Sequence, residues 1–200
     1  MLGERHDYSS IGRIDSTWGH SQFDRPAEYI QWANEAIRLL DDVYLQKMVI
    51  FNCSNGPSTL GFMKYIVERF PSVSTLLTDA QEGIPQVCTE FIQQHLPGVG
   101  GIETMRILTE DLHTTPHASE ADLFLSFEPI GDLPYAFTRL YETLSPGSRI
   151  AVVERGVLSC GVQGLRKTAK ALDIKDQLSV IATGIRTIHG EVIVGSLQKE

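Results

Sequence analysis

The stretch from Val49 to Thr59, VIFNCSNGPST, constrains the fold more than any other part of the sequence. An apolar run ends at Asn52, a turn of small residues follows, and an amphipathic stretch begins at Leu60. This is the order strand, tight turn, helix. Because such a turn directs backbone N–H groups and a helix N-terminus towards the end of the strand, it favours binding of a polar ligand there.

The same order recurs along the chain and predicts the fold class. Apolar runs predict strands at 48–51, 74–78, 103–108, 121–127 and 149–154, and amphipathic stretches predict helices at 26–43, 60–69, 85–95, 133–144 and 164–172. The last two predicted strands, 178–188 and 191–197, are joined by a His189-Gly190 turn. Repeated strand–helix units indicate an α/β fold whose parallel sheet carries helices on both faces, and the hairpin adds an antiparallel edge.

The length and the absence of a linker predict a single domain spanning 1–200. Within it, residues 46–200 form the predicted α/β core, and residues 1–45 form an N-terminal arm and helix. Aromatic residues in the arm make it a candidate lid, although they would serve equally well to anchor the arm on the core or on a partner chain.

Composition and charge restrict the functional classes. The formal net charge of −8, with no long lysine or arginine run, argues against a nucleic-acid-binding surface. No apolar run approaches the length of a membrane span, and the first residues are too charged for a signal peptide. The three cysteines are odd in number and lack metal-ligand spacing, which is typical of a reducing compartment. We therefore expect a cytoplasmic protein.

From residue 26 to residue 197 the chain resembles the class I S-adenosylmethionine-dependent methyltransferases. The order of the motifs carries the resemblance: the loop after the first strand, Leu-Leu-Thr-Asp79 at the end of the second, Glu110-Asp111-Leu112 after the third, the run from Glu120 to Phe127, and the run from Arg139 to Glu154 with its Ser-Pro-Gly turn. The resemblance implies a Rossmann-like class I methyltransferase sandwich, with a mostly parallel seven-stranded sheet and a C-terminal antiparallel hairpin.

The resemblance also implies a set of residues that bind S-adenosylmethionine. In the loop, Asn52 takes the family's acidic position, and Ser54, Gly56 and Ser58 take its three glycine positions, so that only Gly56 is retained. Asp79 matches the acid that binds the ribose hydroxyls, since a carboxylate can accept both hydrogen bonds. Asp111, with Leu112, matches the residues near the adenine, and Ser126 completes the predicted set at the end of the fourth strand.

Two residues are predicted to be catalytic, His113 and Glu128. His113 follows the third strand on the ligand side, where a histidine can act as a general base, although a solvated loop histidine is the alternative. Glu128 falls where the family places residues facing the reacting methyl group, but a carboxylate on a surface turn would have the same pattern. His113 and His117 are four residues apart, which suits a metal pair only in a helix; Pro116 argues against that helix, and no metal site is predicted.

The predicted activity is methyl transfer from S-adenosylmethionine to a small-molecule, secondary-metabolite nucleophile, with Tyr8, Trp18, His20 and Tyr29 as the predicted substrate-binding residues. The exchanged glycines keep two alternatives open. One is a methyltransferase-like cyclase or isomerase, and the other is a non-catalytic subunit. The predicted partners are thus a small molecule and neither nucleic acid nor membrane; a homodimer and a heterodimer both remain open.

Overall fold

The computed structural model describes residues 26–40, 45–54, 56–116, 118–156, 160–187 and 190–200. The first 25 residues therefore lie outside the described part, and so do Tyr8, Trp18, His20 and His117. Within the described residues, no helix combines the length and apolar character that a membrane crossing requires.

Among the described residues, seven strands form one sheet. They are β1 (Lys47–Ile50), β2 (Ser74–Asp79), β3 (Ile102–Arg106), β4 (Leu123–Phe127), β5 (Arg149–Arg155), β6 (Leu178–Thr187) and β7 (Gly190–Gln198). The spatial order is β3-β2-β1-β4-β5-β7-β6, with β1 to β5 parallel and β7 antiparallel to both of its neighbours. The strand order reverses between β1 and β4, and this is where parallel sheets of this kind bind ligands.

Five α-helices cover the sheet in the described part of the chain. They are α1 (Pro26–Ile37), α2 (Pro57–Arg69), α3 (Ile84–His95), α4 (Leu133–Thr143) and α5 (Cys160–Ala171). A 3-10 segment, Thr109–Thr114, follows β3. Helices α1, α2 and α3 share one hydrophobic cluster with residues of the sheet, and α4 and α5 share the other.

Strand alternation explains the two clusters. In β5, Ala151 and Val153 belong to the cluster of α1 to α3, whereas Ile150 and Val152 belong to that of α4 and α5. The period of two places successive side chains on opposite faces, and both faces of these central strands are buried. The sheet is therefore the middle layer of a three-layer sandwich.

The predicted α/β sandwich is confirmed, including the antiparallel pair at its C-terminal edge. The boundaries differ at several elements. Helix α2 begins at Pro57 instead of Leu60, because proline is tolerated in the first turn, where its missing N–H has no intrahelical partner. Strand β3 ends at Arg106, two residues before the predicted end, and α5 begins at Cys160 rather than at 164.

Candidate functional site

The loop after β1 has an unusual backbone conformation. Asn52, Ser54 and Gly56 have positive φ angles of 48°, 54° and 110°. Left-handed conformations cost free energy in residues with a Cβ, and such residues concentrate at ligand sites and switch regions. The loop thus turns sharply from the end of β1 into the N-terminus of α2.

The carboxylate of Asp79 holds this loop in place. Asp79 is the last residue of β2; its Oδ2 accepts a hydrogen bond from the Ser54 N–H at 3.2 Å, and its Oδ1 accepts one from the Gln81 N–H at 3.0 Å. Burial raises the pKa of Asp79 above its ordinary value, although these backbone N–H groups oppose the shift. Two carboxylate oxygens have about four acceptor sites, so Asp79 retains capacity for a ligand.

The segment after β3 reaches across the point where the strand order reverses. The Thr109 hydroxyl donates to Asn52 Oδ1 at 3.2 Å, at the end of β1. Its neighbour Glu110 accepts the Asp132 N–H at 2.9 Å through Oε1, in the loop between β4 and α4. This hydrogen bond lowers the pKa of Glu110. The 3-10 segment therefore connects the loops that follow β1 and β4.

Gly56 is required by packing as well as by its backbone angle. A Cβ at this position would lie 2.6 Å from Cδ1 of Phe91 in α3, and its φ of 110° disfavours any side chain. Ser58, two residues further on, is buried in the first turn of α2. The retained glycine is thus explained by the contact between the loop and α3, whether or not a ligand approaches.

Glu128 forms a largely buried ion pair with Arg155. Arg155 is the last residue of β5, and its Nη2 lies 2.9 Å from Glu128 Oε2 while its Nε contacts Oε1. The side chains are 4% exposed for Arg155 and 11% for Glu128. On the other side, the Arg155 guanidinium lies over the Tyr29 ring at 5.2 Å. Glu128 has a positive φ of 52°, and its N–H donates to the Val153 carbonyl, so both its backbone and its side chain are fixed.

Glu154 points to the opposite face of the sheet and caps α5. Its carboxylate accepts the N–H groups of Gly161 and Val162 at 2.8 and 2.9 Å, and the side chain is buried. Burial raises the pKa of Glu154, while the two N–H donors oppose the shift. An anion is stabilised at a helix N-terminus, so Glu154 anchors α5 to the end of β5.

The other predicted cofactor residues differ in their exposure to solvent. Asp111 is exposed in the 3-10 segment. Leu112 is buried in the cluster of α4 and α5, which leaves only its backbone for the predicted contact. Ser126 is fully buried in β4, and its hydroxyl has no hydrogen-bond partner among the described residues.

Of the remaining predicted residues, His113 and Tyr29 lie near the same edge of the sheet. His113 Nδ1 is 3.2 Å from the Glu110 carbonyl oxygen. Since a carbonyl only accepts, Nδ1 is the donor in this contact, and in the neutral imidazole Nε2 is then the acceptor. Tyr29 is 1% exposed and contacts Phe127 and Arg155. It therefore lies at the ends of β4 and β5, beneath the Glu128–Arg155 pair.

Three residues near the carboxyl ends of the strands were not predicted from the sequence. They are Thr109, Arg155, and Glu154 as a helix cap. A pattern that signals the last two was present, since Glu154-Arg155 follows a buried apolar strand at its carboxyl end. Such charged residues are expected to find partners there. The partner of Thr109 depends on how the loops meet and leaves no trace in the sequence.

No protein-family model matches the chain, and no curated protein matches it by sequence. Solved structures do match. TrmN from Thermus thermophilus has a TM-score of 0.60 and 15% identity over 89% of this chain, which spans 53% of TrmN. The plantazolicin methyltransferase BpumL, in complex with SAH, has a TM-score of 0.60 and 10% identity, with 95% of this chain and 92% of BpumL covered.

A third similar structure is described as precorrin 8W decarboxylase from Methanobacterium thermoautotrophicum, with a TM-score of 0.58, 17% identity, and coverage of 82% of this chain and 88% of that one. These levels of identity establish architecture. Together with the seven-stranded order and the C-terminal antiparallel pair, they show that the chain has the fold of the class I S-adenosylmethionine-dependent methyltransferases.

Proposed function

We propose that this protein binds S-adenosylmethionine at the carboxyl edge of β1, β2 and β4, and transfers its methyl group to a small-molecule nucleophile. The observation that carries the proposal is the Asp79 carboxylate, which lies at the end of β2 and joins the loop after β1 through the Ser54 N–H. This arrangement puts a carboxylate with spare acceptor capacity beside a strand–turn–helix loop, next to the reversal of strand order.

The residues at this edge fit the proposed cofactor in chemical type. Asp79 would accept hydrogen bonds from the ribose hydroxyls, and the loop from Asn52 to Ser58 would contribute backbone N–H groups. We propose that the rest of the cofactor is bound by Asp111, the Leu112 backbone and Ser126. The Ser126 hydroxyl, which has no partner among the described residues, offers a hydrogen-bond donor. When bound, the cofactor supplies a methyl group activated by an adjacent sulfonium.

His113 is the better proton acceptor of the two predicted catalytic residues. In the neutral imidazole, its Nε2 would have the lone pair, because Nδ1 would donate to the Glu110 carbonyl. The Glu128 carboxylate is engaged on both oxygens by Arg155. We assign Glu128 the role of orienting the substrate, because an ion-paired carboxylate can still accept hydrogen bonds on its remaining lone pairs. Positioning and exclusion of water would supply most of the rate of the displacement.

The proposed substrate is a small molecule of secondary metabolism, and the proposed location is the cytoplasm. The BpumL likeness supports a small-molecule substrate, since that structure is described as a plantazolicin methyltransferase. Tyr29 would support the substrate side from beneath the Glu128–Arg155 pair, and the arm would contribute Tyr8, Trp18 and His20. We propose neither a nucleic-acid nor a membrane partner, and either a homodimer or a heterodimer as the assembly.

Methyl transfer is tested with methyl-labelled S-adenosylmethionine and a panel of phenols, amines and compounds with a nucleophilic carbon. Transfer of label by the wild-type chain, and its loss in Asp79→Asn, is the expected result. A folded chain that neither binds the cofactor nor transfers label contradicts it.

A second function is favoured by one observation, the close packing of the loop. Phe91 fills the space beside Gly56, and Thr109 bonds Asn52. A loop stabilised by such contacts could persist in a protein that no longer transfers methyl groups, either a cyclase or isomerase or a non-catalytic subunit. Conversion of a substrate without cofactor, or copurification of a second chain with no transfer, would favour this function over the first.

A further inference from the structure

Three exposed apolar side chains lie on the segments that follow β3 and β4, next to the proposed substrate side of the site. They are Leu108, Ile130 and Tyr135, and they are 51%, 62% and 52% exposed. We refer to these three residues as the apolar rim. Isolated exposed apolar residues are ordinary, but exposed apolar residues that converge on one cleft often mark a binding surface.

Contacts between the neighbouring residues bring the rim together. Leu108 and Ile130 immediately precede Thr109 and Gly131, which pack so closely that a Cβ on Gly131 would lie 3.2 Å from Thr109 Cβ. The Glu110–Asp132 hydrogen bond joins the same two segments, and Tyr135 follows in the first turn of α4. The rim therefore borders the crevice between β1 and β4.

The charge next to the rim is mainly negative, and the nearest exposed cation, Arg106, has its guanidinium bonded to the Ala80 carbonyl. From Ile107 to Thr138 the sequence contains no lysine or arginine, and Glu110, Asp111 and Asp132 flank the rim. In the described part of the chain, none of these three carboxylates takes part in an ion pair. The nearby Arg155 is committed to Glu128. The flanking charge would repel an anion and attract a cation, and an aromatic ring such as that of Tyr135 also favours a cation.

We propose that the apolar rim binds the substrate, and that this substrate is an amine with an aromatic or other apolar body. The apolar body would contact Leu108, Ile130 and Tyr135, and the ammonium group would face Glu110, Asp111 and Asp132. This inference rests on the proposed function, since it names the substrate class of the same site.

Matched probes test the charge and the apolar contact separately. Binding of tryptamine and phenethylamine to the full chain is measured by saturation-transfer NMR, beside indole-3-acetate and phenylacetate, which have the same rings and the opposite charge. We expect each amine to bind about tenfold or more tightly than its matched acid, because several carboxylates act at short range. High salt should reduce the ratio of amine affinity to acid affinity.

A double variant tests the position of the site. Ile130→Ser with Tyr135→Ser should weaken amine binding by about fivefold or more, since it removes the apolar contact. The control is Leu39→Ser with Val180→Ser, two apolar residues exposed to 40% and 39% outside the rim. This control should bind the amines as the wild type does. Equal binding of amines and acids, or equal weakening in both double variants, overturns the inference.

Titration with S-adenosylhomocysteine separates the two proposals. Cofactor binding without amine preference overturns the inference and leaves the proposed function intact. Amine preference lost in the rim variant, without cofactor binding, supports the rim while contradicting methyl transfer. A change of oligomeric state in the rim variant, seen by light scattering without amine binding to the wild type, assigns the rim to a protein interface and also overturns the inference.

Discussion

Arg155 and Glu128 form a bidentate ion pair that joins the ends of β5 and β4, and Arg155 is only 4% exposed. The Tyr29 ring covers the guanidinium from α1. Glu128 also has a left-handed backbone conformation, so the pair fixes the first residue of the loop that leads to α4. Removal of the arginine should therefore affect stability and the shape of the site together.

We expect Arg155→Met to lower the free energy of unfolding by about 3–5 kcal/mol, because it leaves a carboxylate that is only 11% exposed without its partner. Adding Glu128→Gln should recover part of this loss. The measurement is urea unfolding. Arg139→Met is the control, since Arg139 and Glu142 form an exposed pair worth about 1 kcal/mol or less. A loss no larger than that of the control would show that the pair is not structurally important.

Gly56 and Gly83 allow the contact with Phe91 to be separated from backbone strain. Both have positive φ, 110° and 81°, but a Cβ on Gly83 would meet nothing within 4 Å. Each alanine substitution carries the backbone cost, and only Gly56→Ala also forces Phe91 to move. We expect Gly56→Ala to be the more destabilising by about 1–3 kcal/mol in thermal or urea unfolding. Equal losses would mean that Phe91 adapts freely.

The raised pKa of Glu154 predicts that this residue's contribution to stability decreases as the pH rises. Its folded pKa is raised from 4.5 by burial, so the folded state holds the proton more tightly than the unfolded chain does. Its contribution to stability is fully present below the unfolded pKa and is lost as the pH rises through the folded pKa.

Urea unfolding at a series of pH values, for wild type and Glu154→Gln, measures this contribution. The difference in unfolding free energy between the two should change across the interval just above pH 4.5, with the wild type falling relative to the variant. Parallel curves for wild type and Glu154→Gln would contradict the assignment.

The sequence was informative wherever periodicity and local chemistry determine structure. The apolar runs predicted the seven strands of the described sheet, and the strand–turn–helix pattern placed Asp79 at the end of β2 and Asn52 just after β1, where the structure has them. Their partners depend on how separate segments meet. The Ser54 N–H reaches Asp79, and Thr109 reaches Asn52, only after β2 and β3 have packed beside β1.

Ion pairs and helix caps were harder to predict for the same reason. Glu128 was predicted to be catalytic from its position after β4, but its partner Arg155 is 27 residues away and belongs to the next strand. The predicted boundary at 154 excluded that residue from β5. Leu112 illustrates the converse, because it neighbours the exposed Asp111 while its own side chain packs in the core.

The most direct test of the proposed function is a calorimetric titration with S-adenosylhomocysteine of the wild type, Asp79→Asn and Asp122→Asn. Asp122 is a matched control, because its carboxylate also accepts two backbone N–H groups, those of Gln46 and Lys47, but just before β4, at the opposite edge of the sheet. We expect micromolar binding by the wild type and Asp122→Asn. Asp79→Asn should bind about 10- to 100-fold more weakly, the equivalent of losing about 1.5–3 kcal/mol of hydrogen bonding to a charged group. Absence of binding to the folded wild type, or equal binding by all three proteins, would contradict the proposed cofactor site.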